Sequence, residues 1–401
     1  MNSNVVIHDL HSEIRTGQKT EKAKFELITG WRFILIRIKL IMSLILLIFK
    51  ETTSWKEFRI ASRHVFSFSK NNLGNATKTN YIKLKGQYYW SIYSAPWPSQ
   101  ALEKEVLKEI KYGLDPSPMN DPLHLVFFSI TKKCPLQCEH CFEWNIMHKP
   151  ETLSRHQIFD ILEKLEQKDL SSIYLTGGEP LSRYEDLIAI IKRASRKMNV
   201  WLFTSGYGLD QNRANQLKNA GLTGILISID HYEPNKHNAF RGNENAFKKA
   251  TNAAVFARNA GLLTALSLCV TKSFLSTKNL LSYMEFAKGL NVGFVQFLDA
   301  REKGRYANKK VALNQEEIDL LINFQRSFNS NPKNSSYPSI IYGGYFQKNY
   351  GCNAGGHRYL YIDSDANIQS CPFCEIPLGN ALNTPFQYRK GSCAIGKIAQ
   401  L

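Results

Sequence analysis

Residues 134–141 read Cys-Pro-Leu-Gln-Cys-Glu-His-Cys, and residues 176–180 read Thr-Gly-Gly-Glu-Pro. Each stretch comes at or shortly after the end of an apolar run rich in β-branched and aromatic residues, Leu123–Ile130 and Ser172–Thr176. Such runs are typical of buried strands. The sequence therefore predicts that both motifs lie at the ends of strands, and the chain around them decides the fold class.

From Leu123 onward, short β-rich runs alternate with helical patterns. Ile158, Ile161 and Leu165, for example, have the spacing of an amphipathic helix, and a second helix is predicted at Ala246–Ala260. Strands that alternate with helices form a parallel sheet through right-handed crossovers. Because six such units make most of an eight-stranded barrel, we expect an α/β fold with a partial (β/α)6 TIM-like barrel. The six strands are predicted at Leu123–Ile130, Ser172–Thr176, Val200–Thr204, Gly224–Ser228, Leu262–Val270 and Gly293–Leu298.

Four regions are expected along the 401 residues, more than one ordinary domain would hold. They are an N-terminal helical and hairpin region (1–121), the barrel (122–310), a linker with a helix at Asn314–Phe328 and a polar loop (311–344), and a small cysteine-rich C-terminal extension (345–401).

The segment Trp31–Lys50 (WRFILIRIKLIMSLILLIFK) predicts a hydrophobic helix that also carries cations. Its most apolar part, Leu40–Phe49, is apolar apart from Ser43 and is shorter than the roughly 20 residues that a spanning helix needs. A longer window includes Arg37 and Lys39. This favours a helix at a membrane surface, with cations reaching toward the headgroups. A helix packed against the barrel and a spanning helix are the alternatives.

The segment Tyr81–Gln100 predicts a hairpin around Gly86, followed by a Pro-rich turn. Its many aromatic side chains either line a substrate groove or pack in a core, and packing is the favoured interpretation.

The formal net charge of +17 is diffuse, which indicates either anionic partners or a generally basic surface. Eight cysteines would allow four disulfides, but a chain of this size can bury its own core. Residues Met1–Gly30 do not resemble a secretory signal. A reducing cytoplasm is therefore expected, where clustered cysteines are metal ligands or redox groups. Cys269 lies inside a predicted strand and is expected to be a small buried residue.

The first cluster has the spacing Cys-x3-Cys-x2-Cys, at Cys134, Cys138 and Cys141. A zinc site usually has four ligands, and His140 is poorly placed to complete one because it is adjacent to Cys141. A cubane [4Fe–4S] cluster normally takes four cysteines. Three cysteines would leave one iron open to a small molecule.

These motifs resemble those of the radical S-adenosylmethionine enzymes, in which the cysteine motif follows the first barrel strand and Gly-Gly-Glu-Pro follows the second. Two departures are Ser205, where Asn is usual, and His231, where Gly is common. Further similar segments are Leu202–Gly206, Ser228–Asp230, His237–Gly242 and Phe297–Arg305.

The resemblance implies a cofactor pair. Cys134, Cys138 and Cys141 would hold three irons of a [4Fe–4S] cluster, and the fourth iron would bind S-adenosylmethionine. One electron, from a reductant such as flavodoxin or ferredoxin, would cleave the sulfonium to give methionine and a 5′-deoxyadenosyl radical. That radical would take a hydrogen atom from the substrate, so no catalytic side chain is assigned beyond the cluster.

The resemblance also places Gly177, Gly178, Glu179 and Pro180 against the methionine amino end of S-adenosylmethionine, with Glu179 as the charged member. Glycine suits this turn because a Cβ would block close approach of the backbone.

Five other residues match the cofactor surroundings of related enzymes. Ser228 and Arg241 would contact the methionyl carboxylate, which Arg binds bidentately, and the alternative for Arg241 is a surface salt bridge. Either His140 or Phe142 would lie near the adenine, or both would simply pack. Asp230 is a ribose neighbour or a helix cap.

A second set, Cys352, Cys371, Cys374 and Cys393, has intervals of 18, 2 and 18 residues. Four thiolates can fill a second cubane, and a structural zinc ion is the alternative. The set resembles the shortened SPASM, or twitch, extension of radical S-adenosylmethionine enzymes, which implies one auxiliary [4Fe–4S] cluster. Ala366 stands where that extension has Gly.

The sequence thus predicts an oxidative modifying enzyme whose substrate is a peptide, protein or cofactor precursor, although another small-molecule substrate remains open. It would be cytoplasmic, with association with the inner face of the membrane as a further expectation. One alternative is the same chemistry on a membrane lipid or isoprenoid. Another is a non-enzymatic basic iron–sulfur protein that binds nucleic acid or senses redox state. We do not expect nucleic acid as the partner, since such a protein has no need of an open iron.

Overall fold

The structure, a computed structural model, describes residues 25–72, 79–117, 122–344, 358–374 and 376–384. Its strands are β1 (Glu26–Thr29), β2 (Asn80–Leu84), β3 (Gln87–Tyr89), β4 (Leu125–Ser129), β5 (Ser172–Thr176), β6 (Asn199–Thr204), β7 (Gly224–Ser228), β8 (Leu263–Val270), β9 (Phe294–Asp299), β10 (Ser339–Tyr342), β11 (Tyr359–Ile362), β12 (Asn367–Gln369) and β13 (Pro377–Asn380). Its helices are α1 (Gly30–Glu51), α2 (Trp55–Asn72), α3 (Gln100–Leu114), α4 (Arg155–Gln167), α5 (Tyr184–Ala194), α6 (Gln211–Asn219), α7 (Pro234–Arg241), α8 (Ala246–Asn259), α9 (Thr277–Gly289) and α10 (Gln315–Ser330).

Strands β4 to β9 pair in parallel in chain order, which confirms the α/β fold with a partial barrel. Each of the six predicted strands is present, and its ends lie within two residues of the predicted ones. In β4, Val126 and Phe128 pack under the helices, whereas Leu125 and Phe127 face the barrel interior. Burial of both faces explains why these strands are almost continuously apolar.

Four further strands, which the sequence analysis missed, widen the sheet, and two of them, β10 and β11, flank the six predicted strands. β10 pairs in parallel with β9, and β11 pairs in parallel with β4. β10 follows the predicted polar loop of the linker, and β11 belongs to the predicted C-terminal extension. Each has four residues, which is too short for a reliable hydrophobic period. In the described part of the chain the sheet is an open row that runs from β10 to β13.

The helices begin where local hydrogen bonds favour them. At α4, Ser154 and Gln157 form a capping box, in which each side chain accepts from the other residue's backbone N–H. Asn314 and Glu317 form a second capping box at α10. This helix begins at Gln315, one residue after the predicted start.

The N-terminal region covers the end of the barrel at which the strands begin. Lys108 on α3 donates to the carbonyl oxygens of Leu123 and Lys168, at 2.7 Å each. After the predicted hairpin of β2 and β3, the backbone carbonyl of Ile92 accepts from the hydroxyl of Tyr174 at 2.6 Å. The ring of Tyr93 then lies inside the barrel, 6.1 Å from that of Phe127.

Both interpretations of the aromatic segment therefore apply, to different residues. Tyr81, Tyr89 and Trp90 are buried in hydrophobic cores, as the packing interpretation predicts. Tyr93, in contrast, lines the central cavity of the barrel.

Helix α1 forms where the hydrophobic helix was predicted, and it packs on the rest of the N-terminal region. Its buried residues are Phe33, Leu40, Leu44 and Ile48. They share a core with α2 and α3 that is separate from the cores of the barrel, so the alternative of packing against the barrel is not what is found. Among the described residues, no helix is long and apolar enough to cross a membrane.

Glu109 of α3 joins the N-terminal region to the barrel sheet. Its fully buried carboxylate contacts His64 of α2, His124 just before β4, and Arg358 just before β11, at 2.7 to 2.8 Å. Burial alone would raise the pKa of Glu109, but the hydrogen bonds from His124 and His64 outweigh burial and hold this pKa well below its usual range. The carboxylate is therefore a charged link between three segments.

We expect the Glu109→Gln variant to lose about 3–5 kcal/mol of unfolding free energy, because Arg358 would keep its charge without a counter-ion. Denaturant titration followed by circular dichroism measures this loss. Glu103→Gln is the matched control, since Glu103 is exposed on the same helix, and it should cost less than about 1 kcal/mol. Equal stability of wild type and Glu109→Gln would contradict the prediction.

Candidate active site

The cysteine motif lies on a loop that leaves β4, at the end of the barrel where the strands finish. The loop is attached to the C-terminal end of α7 by two backbone hydrogen bonds, from Gln137 N to Arg241 O (3.1 Å) and from Glu139 N to Phe240 O (2.8 Å). On its other side, Arg305 N donates to Cys141 O at 3.0 Å. The path of the cysteines is therefore fixed by neighbouring backbone.

The Gly-Gly-Glu-Pro turn packs directly against this loop. Gly178 N donates to Thr131 O at 2.9 Å, and Glu179 N donates to Lys133 O at 2.7 Å. A Cβ on Gly178 would lie 2.4 Å from the Lys133 carbonyl oxygen and 3.1 Å from the Cβ of Cys134. Glycine is required here because two backbones meet.

Cys134, Cys138 and Cys141 are free thiols that face one cavity. Burial raises the pKa of Cys134 and of Cys141 to about 12, so these groups need a bound metal to become thiolates. Three unpaired thiols on one wall, held by a turn with no room for side chains, fit a cluster that takes one thiolate per iron. Among the described residues, no group of three or more His, Cys, Asp or Glu is placed to hold a single metal ion.

The cavity has a volume of about 470 Å³ and occupies the interior of the barrel. This is within the range of about 300–1,000 Å³ found for small-molecule sites. Its wall brings together the cysteine motif, the glycine turn and the strand ends at Ser228 and Asp230. Residues predicted from three separate segments thus meet at one site.

Arg241 is buried and paired, so the surface salt bridge is not its role. Its Nε donates to Asp230 Oδ2 at 2.5 Å, and its Nη1 lies 3.5 Å from Cys138 Sγ. Asp230 also accepts from the backbone N–H of Cys269 at 3.0 Å, and the pair lowers the pKa of Asp230 despite its burial. Arg241 therefore brings a positive charge next to a cysteine, while its contact with S-adenosylmethionine stays a prediction.

The Glu179 carboxylate accepts hydrogen bonds from other residues of the protein, which the sequence did not indicate. It accepts from the hydroxyls of Thr204 and Ser205 and from the backbone N–H groups of Ser205 (2.8 Å) and Leu181 (3.0 Å). Burial raises the pKa of Glu179 even so. With both oxygens occupied, Glu179 ties the turn after β5 to the end of β6. Pro180 begins the short 3₁₀ turn that follows.

His140 and Phe142 both reach the cavity wall. The ring of His140 stacks on Phe240 with centroids 4.8 Å apart, and burial lowers the pKa of His140 to about 4. Phe142 contacts the rings of Tyr361 and Phe373. Each ring thus has a packing role, and proximity to adenine stays a prediction for both.

The second cysteine set is only partly within the described residues. Cys371 and Cys374 have their sulfur atoms 3.4 Å apart, and Cys371 lines the same cavity as the first motif. Cys352 and Cys393 lie outside the described residues. Ala366 has a φ of 65°, a left-handed conformation that explains why Gly is usual at this position.

Sequence reasoning missed part of the cavity wall. Gln296 and Asp299, on β9, both line the cavity, and the buried Gln296 Oε1 atom has no hydrogen-bond partner among the described residues. Tyr342, on the unpredicted strand β10, lines it as well. Gln296 and Asp299 could have been predicted as site residues, because they are polar residues near the end of the sixth barrel strand. Cys269 is buried as predicted.

Comparison with known proteins identifies several similar ones. The family model described as the Radical SAM superfamily matches residues 128–273. A GTP 3′,8-cyclase from Aquifex aeolicus (strain VF5) is 27% identical over 212 residues, which cover 51% of this chain and 65% of the cyclase. The chain thus spans slightly less than two thirds of that relative. An AdoMet-dependent heme synthase from Nitratidesulfovibrio vulgaris (strain Hildenborough) is 22% identical over 287 residues, 65% of this chain and 77% of the synthase.

Among solved structures, Streptococcus suis SuiB bound to its precursor peptide SuiA has a similar fold, with a TM-score of 0.54 and 14% identity. The match covers 81% of this chain and 76% of SuiB.

The Gly178→Ala variant should disturb the cysteine loop, because its new Cβ would meet the Lys133 carbonyl oxygen. We expect a loss of about 1–3 kcal/mol of unfolding free energy, as for other overpacked sites, and lower iron content after anaerobic reconstitution. Gly289→Ala is the control, since in the described part of the chain no atom lies within 4 Å of a Cβ there. Wild-type iron content in Gly178→Ala would contradict the prediction.

The buried side chain of His237 should make the unfolding free energy depend on pH. Burial lowers the pKa of His237 to about 3, and its Nδ1 accepts from Asp230 N at 3.0 Å. In the unfolded chain, the pKa of a histidine is about 6.5. Below that pH the unfolded chain takes up a proton that the folded protein does not, so the unfolding free energy decreases as the pH falls from about 6.5 toward about 3. The decrease is about 1.4 kcal/mol per pH unit.

The His237→Asn variant keeps an acceptor without titrating, so its unfolding free energy should vary less with pH below about 6.5 than that of wild type. Denaturant titrations at several pH values measure the slopes. His156→Asn is the control, since the His156 side chain is 87% exposed. Identical slopes for wild type and His237→Asn would refute the interpretation.

Proposed function

This chain belongs to the radical SAM superfamily, and from that premise we propose that it oxidatively modifies a peptide, a protein or a cofactor precursor. Membership makes it an enzyme that uses S-adenosylmethionine and a [4Fe–4S] cluster. The finer statements, namely the substrate class, the second cluster and the partners, are our proposals.

One observation carries the proposal. Cys134, Cys138 and Cys141 share a single cavity with Cys371 of the second cysteine set. The two sets are also in contact through the rings of Phe142 and Phe373, whose centroids are 5.8 Å apart. A substrate in this cavity would lie between two metal-binding motifs. That arrangement suits a reaction in which the substrate loses both a hydrogen atom and an electron.

The residues of the first motif have defined tasks. Cys134, Cys138 and Cys141 would hold the cluster, which on binding supplies the electron that cleaves S-adenosylmethionine to methionine and a 5′-deoxyadenosyl radical. Gly178 lets the glycine turn approach the cysteine loop, and Arg241 supplies positive charge beside Cys138. Ser228 and Arg241 would contact the methionyl carboxylate, and the backbone of the glycine turn its amino group.

The second set would hold an auxiliary [4Fe–4S] cluster, with Cys371 and Cys374 as two of its four ligands. Their sulfur atoms are 3.4 Å apart, close enough for both to bind one cluster. Cys352 and Cys393 would complete the set. The chemistry that such a saturated cluster supplies is one-electron transfer, and a flavodoxin or ferredoxin of the cytoplasm would supply electrons to the enzyme.

Two similarities support a large organic substrate. The structure of SuiB holds a precursor peptide, and the heme synthase, by its name, makes a cofactor. The cavity wall of this chain also carries polar atoms suited to an amide-rich ligand, among them the Oε1 of Gln296, which accepts no hydrogen bond from any described residue. We therefore favour a peptide or peptide-like substrate.

A deuterium-transfer experiment tests the proposal. Peptides labelled at candidate carbon atoms are incubated with the reconstituted enzyme, reductant and S-adenosylmethionine, and 5′-deoxyadenosine is analysed by mass spectrometry. We expect deuterium to appear in 5′-deoxyadenosine. No transfer from any peptide, together with transfer from a lipid or a small metabolite, would refute the substrate class.

Cysteine variants separate the two clusters in the same assay. Cys134→Ala should abolish formation of 5′-deoxyadenosine, because the first cluster loses a ligand. The Cys371→Ala/Cys374→Ala variant should still form 5′-deoxyadenosine but yield no oxidised peptide. Cys269→Ala is the control, since Cys269 lines the cavity and belongs to neither set. Wild-type yield of oxidised peptide from the double variant would contradict a role for the second cluster.

A further inference from the structure

Helix α1 is apolar on the side that faces away from the protein as well as on its buried side. Nine large hydrophobic residues of this helix are exposed, and Trp31, Leu46 and Phe49 are exposed by 73%, 66% and 68%. The full set is Trp31, Ile34, Leu35, Ile38, Ile41, Met42, Ile45, Leu46 and Phe49.

These residues recur every three or four positions and therefore form one continuous stripe along the helix. A helix of 22 residues is about 33 Å long. The stripe continues onto α2, where Trp55 is 69% exposed and its ring stacks on Phe58. Soluble proteins rarely expose an apolar area of this extent unless it contacts something.

Cations lie along one edge of the stripe. Arg32, Lys39 and Lys50 are exposed and are separated by 7 and 11 residues, that is, by nearly whole turns of the helix. Arg32 is partly neutralised by Glu26, at 2.6 Å. Residues 30–63 contain seven Lys or Arg and only two acidic residues. The stripe is thus apolar with a basic border.

This combination matches the boundary between headgroups and acyl chains of an anionic bilayer. The apolar stripe would bury itself among acyl chains while the border cations meet lipid phosphates. A second copy of the chain fits less well, because it would bring the same basic border without the acidic residues needed to match it. Insertion across the bilayer is not available either, since the other side of α1 is committed to the protein core.

We propose that the exposed stripe of α1, extended by Trp55, is a docking surface for an anionic membrane. The proposal goes beyond the reaction and does not depend on it. α1 belongs to the region that covers the starting end of the barrel strands, whereas the cysteine motif lies at their finishing end. Docking would therefore hold the enzyme at the membrane by the end remote from its metal site, so the lipid need not be the substrate.

Co-sedimentation with vesicles tests the proposal on the reconstituted full chain. We expect wild type to pellet with vesicles of phosphatidylglycerol and phosphatidylcholine, and much less with phosphatidylcholine alone. The Ile38→Asn/Met42→Gln/Leu46→Gln variant should lose binding to both. The Arg32→Gln/Lys39→Gln/Lys50→Gln variant should bind anionic vesicles roughly a hundredfold more weakly, at about fivefold per cation.

Two controls separate this surface from the general basic charge. Lys248→Gln/Lys309→Gln/Lys310→Gln removes the same charge from exposed sites elsewhere and should bind as wild type does. Leu281→Gln removes an exposed apolar residue, 47% exposed on α9, and should likewise bind normally. All variants should keep wild-type cleavage of S-adenosylmethionine, which shows that they fold.

Several outcomes would overturn the proposal. Wild type that stays in the supernatant with both kinds of vesicle would do so, as would equal losses from the charge variant and its control. If wild type ignores vesicles but is a dimer that the apolar variant dissociates, a second copy covers the stripe. If wild type ignores vesicles but a chain that starts at residue 25 binds them, the stripe is covered by residues 1–24 of the same chain and is not a membrane surface in the full chain.

Discussion

The site depends on backbone packed against backbone around the cysteine loop. Residues 134–141 form no helix or strand of their own, so their shape is imposed by neighbours. Gly178 packs against one side of the loop, and a Cβ at this position would clash with the Lys133 carbonyl oxygen. Gly304 packs against the other side, where a Cβ would lie 2.1 Å from the carbonyl oxygen of Cys141. Because side chains are excluded at both contacts, three thiols can be held in fixed positions by a loop.

The parallel sheet is what brings these contacts together. The strands β4, β5 and β7 finish at the same end of the parallel sheet, with β6 between β5 and β7, so segments distant in sequence supply the cysteines, the glycine turn and Ser228. Six strands alone leave the barrel open, and β10 and β11 add a strand at each edge. The N-terminal region covers the starting end, where Tyr93 enters the barrel and Glu109 joins the segments by charge. The cavity is thus enclosed by parts of the chain from well outside the core motif.

The sequence predicted the parts of this arrangement that follow from local patterns. Strands β5 and β7 were predicted to the residue because buried parallel strands are short apolar runs between turn residues. The capping residue Asn314 similarly marked the start of α10. Strands β10 and β11 were missed because four residues carry no period and their pairing partners are distant in sequence. Glu179 was predicted to serve the cofactor, which stays a prediction, and the sequence did not indicate that Thr204 and Ser205, a strand away, hold its carboxylate. Such partners are fixed only by the tertiary fold.

The helix α1 shows why hydropathy alone left its role open. Its sequence is apolar on almost every side, so no amphipathic period indicates which side is buried. The structure separates the two sides: Leu40 and Leu44 pack into the N-terminal core, while Ile38 and Met42 face outward, 49% and 58% exposed. Arg32 and Lys39 then lie at the border between the stripe and solvent rather than in the middle of an apolar segment. A helix with apolar surface on two opposite sides needs two apolar neighbours, and the described protein provides one of them.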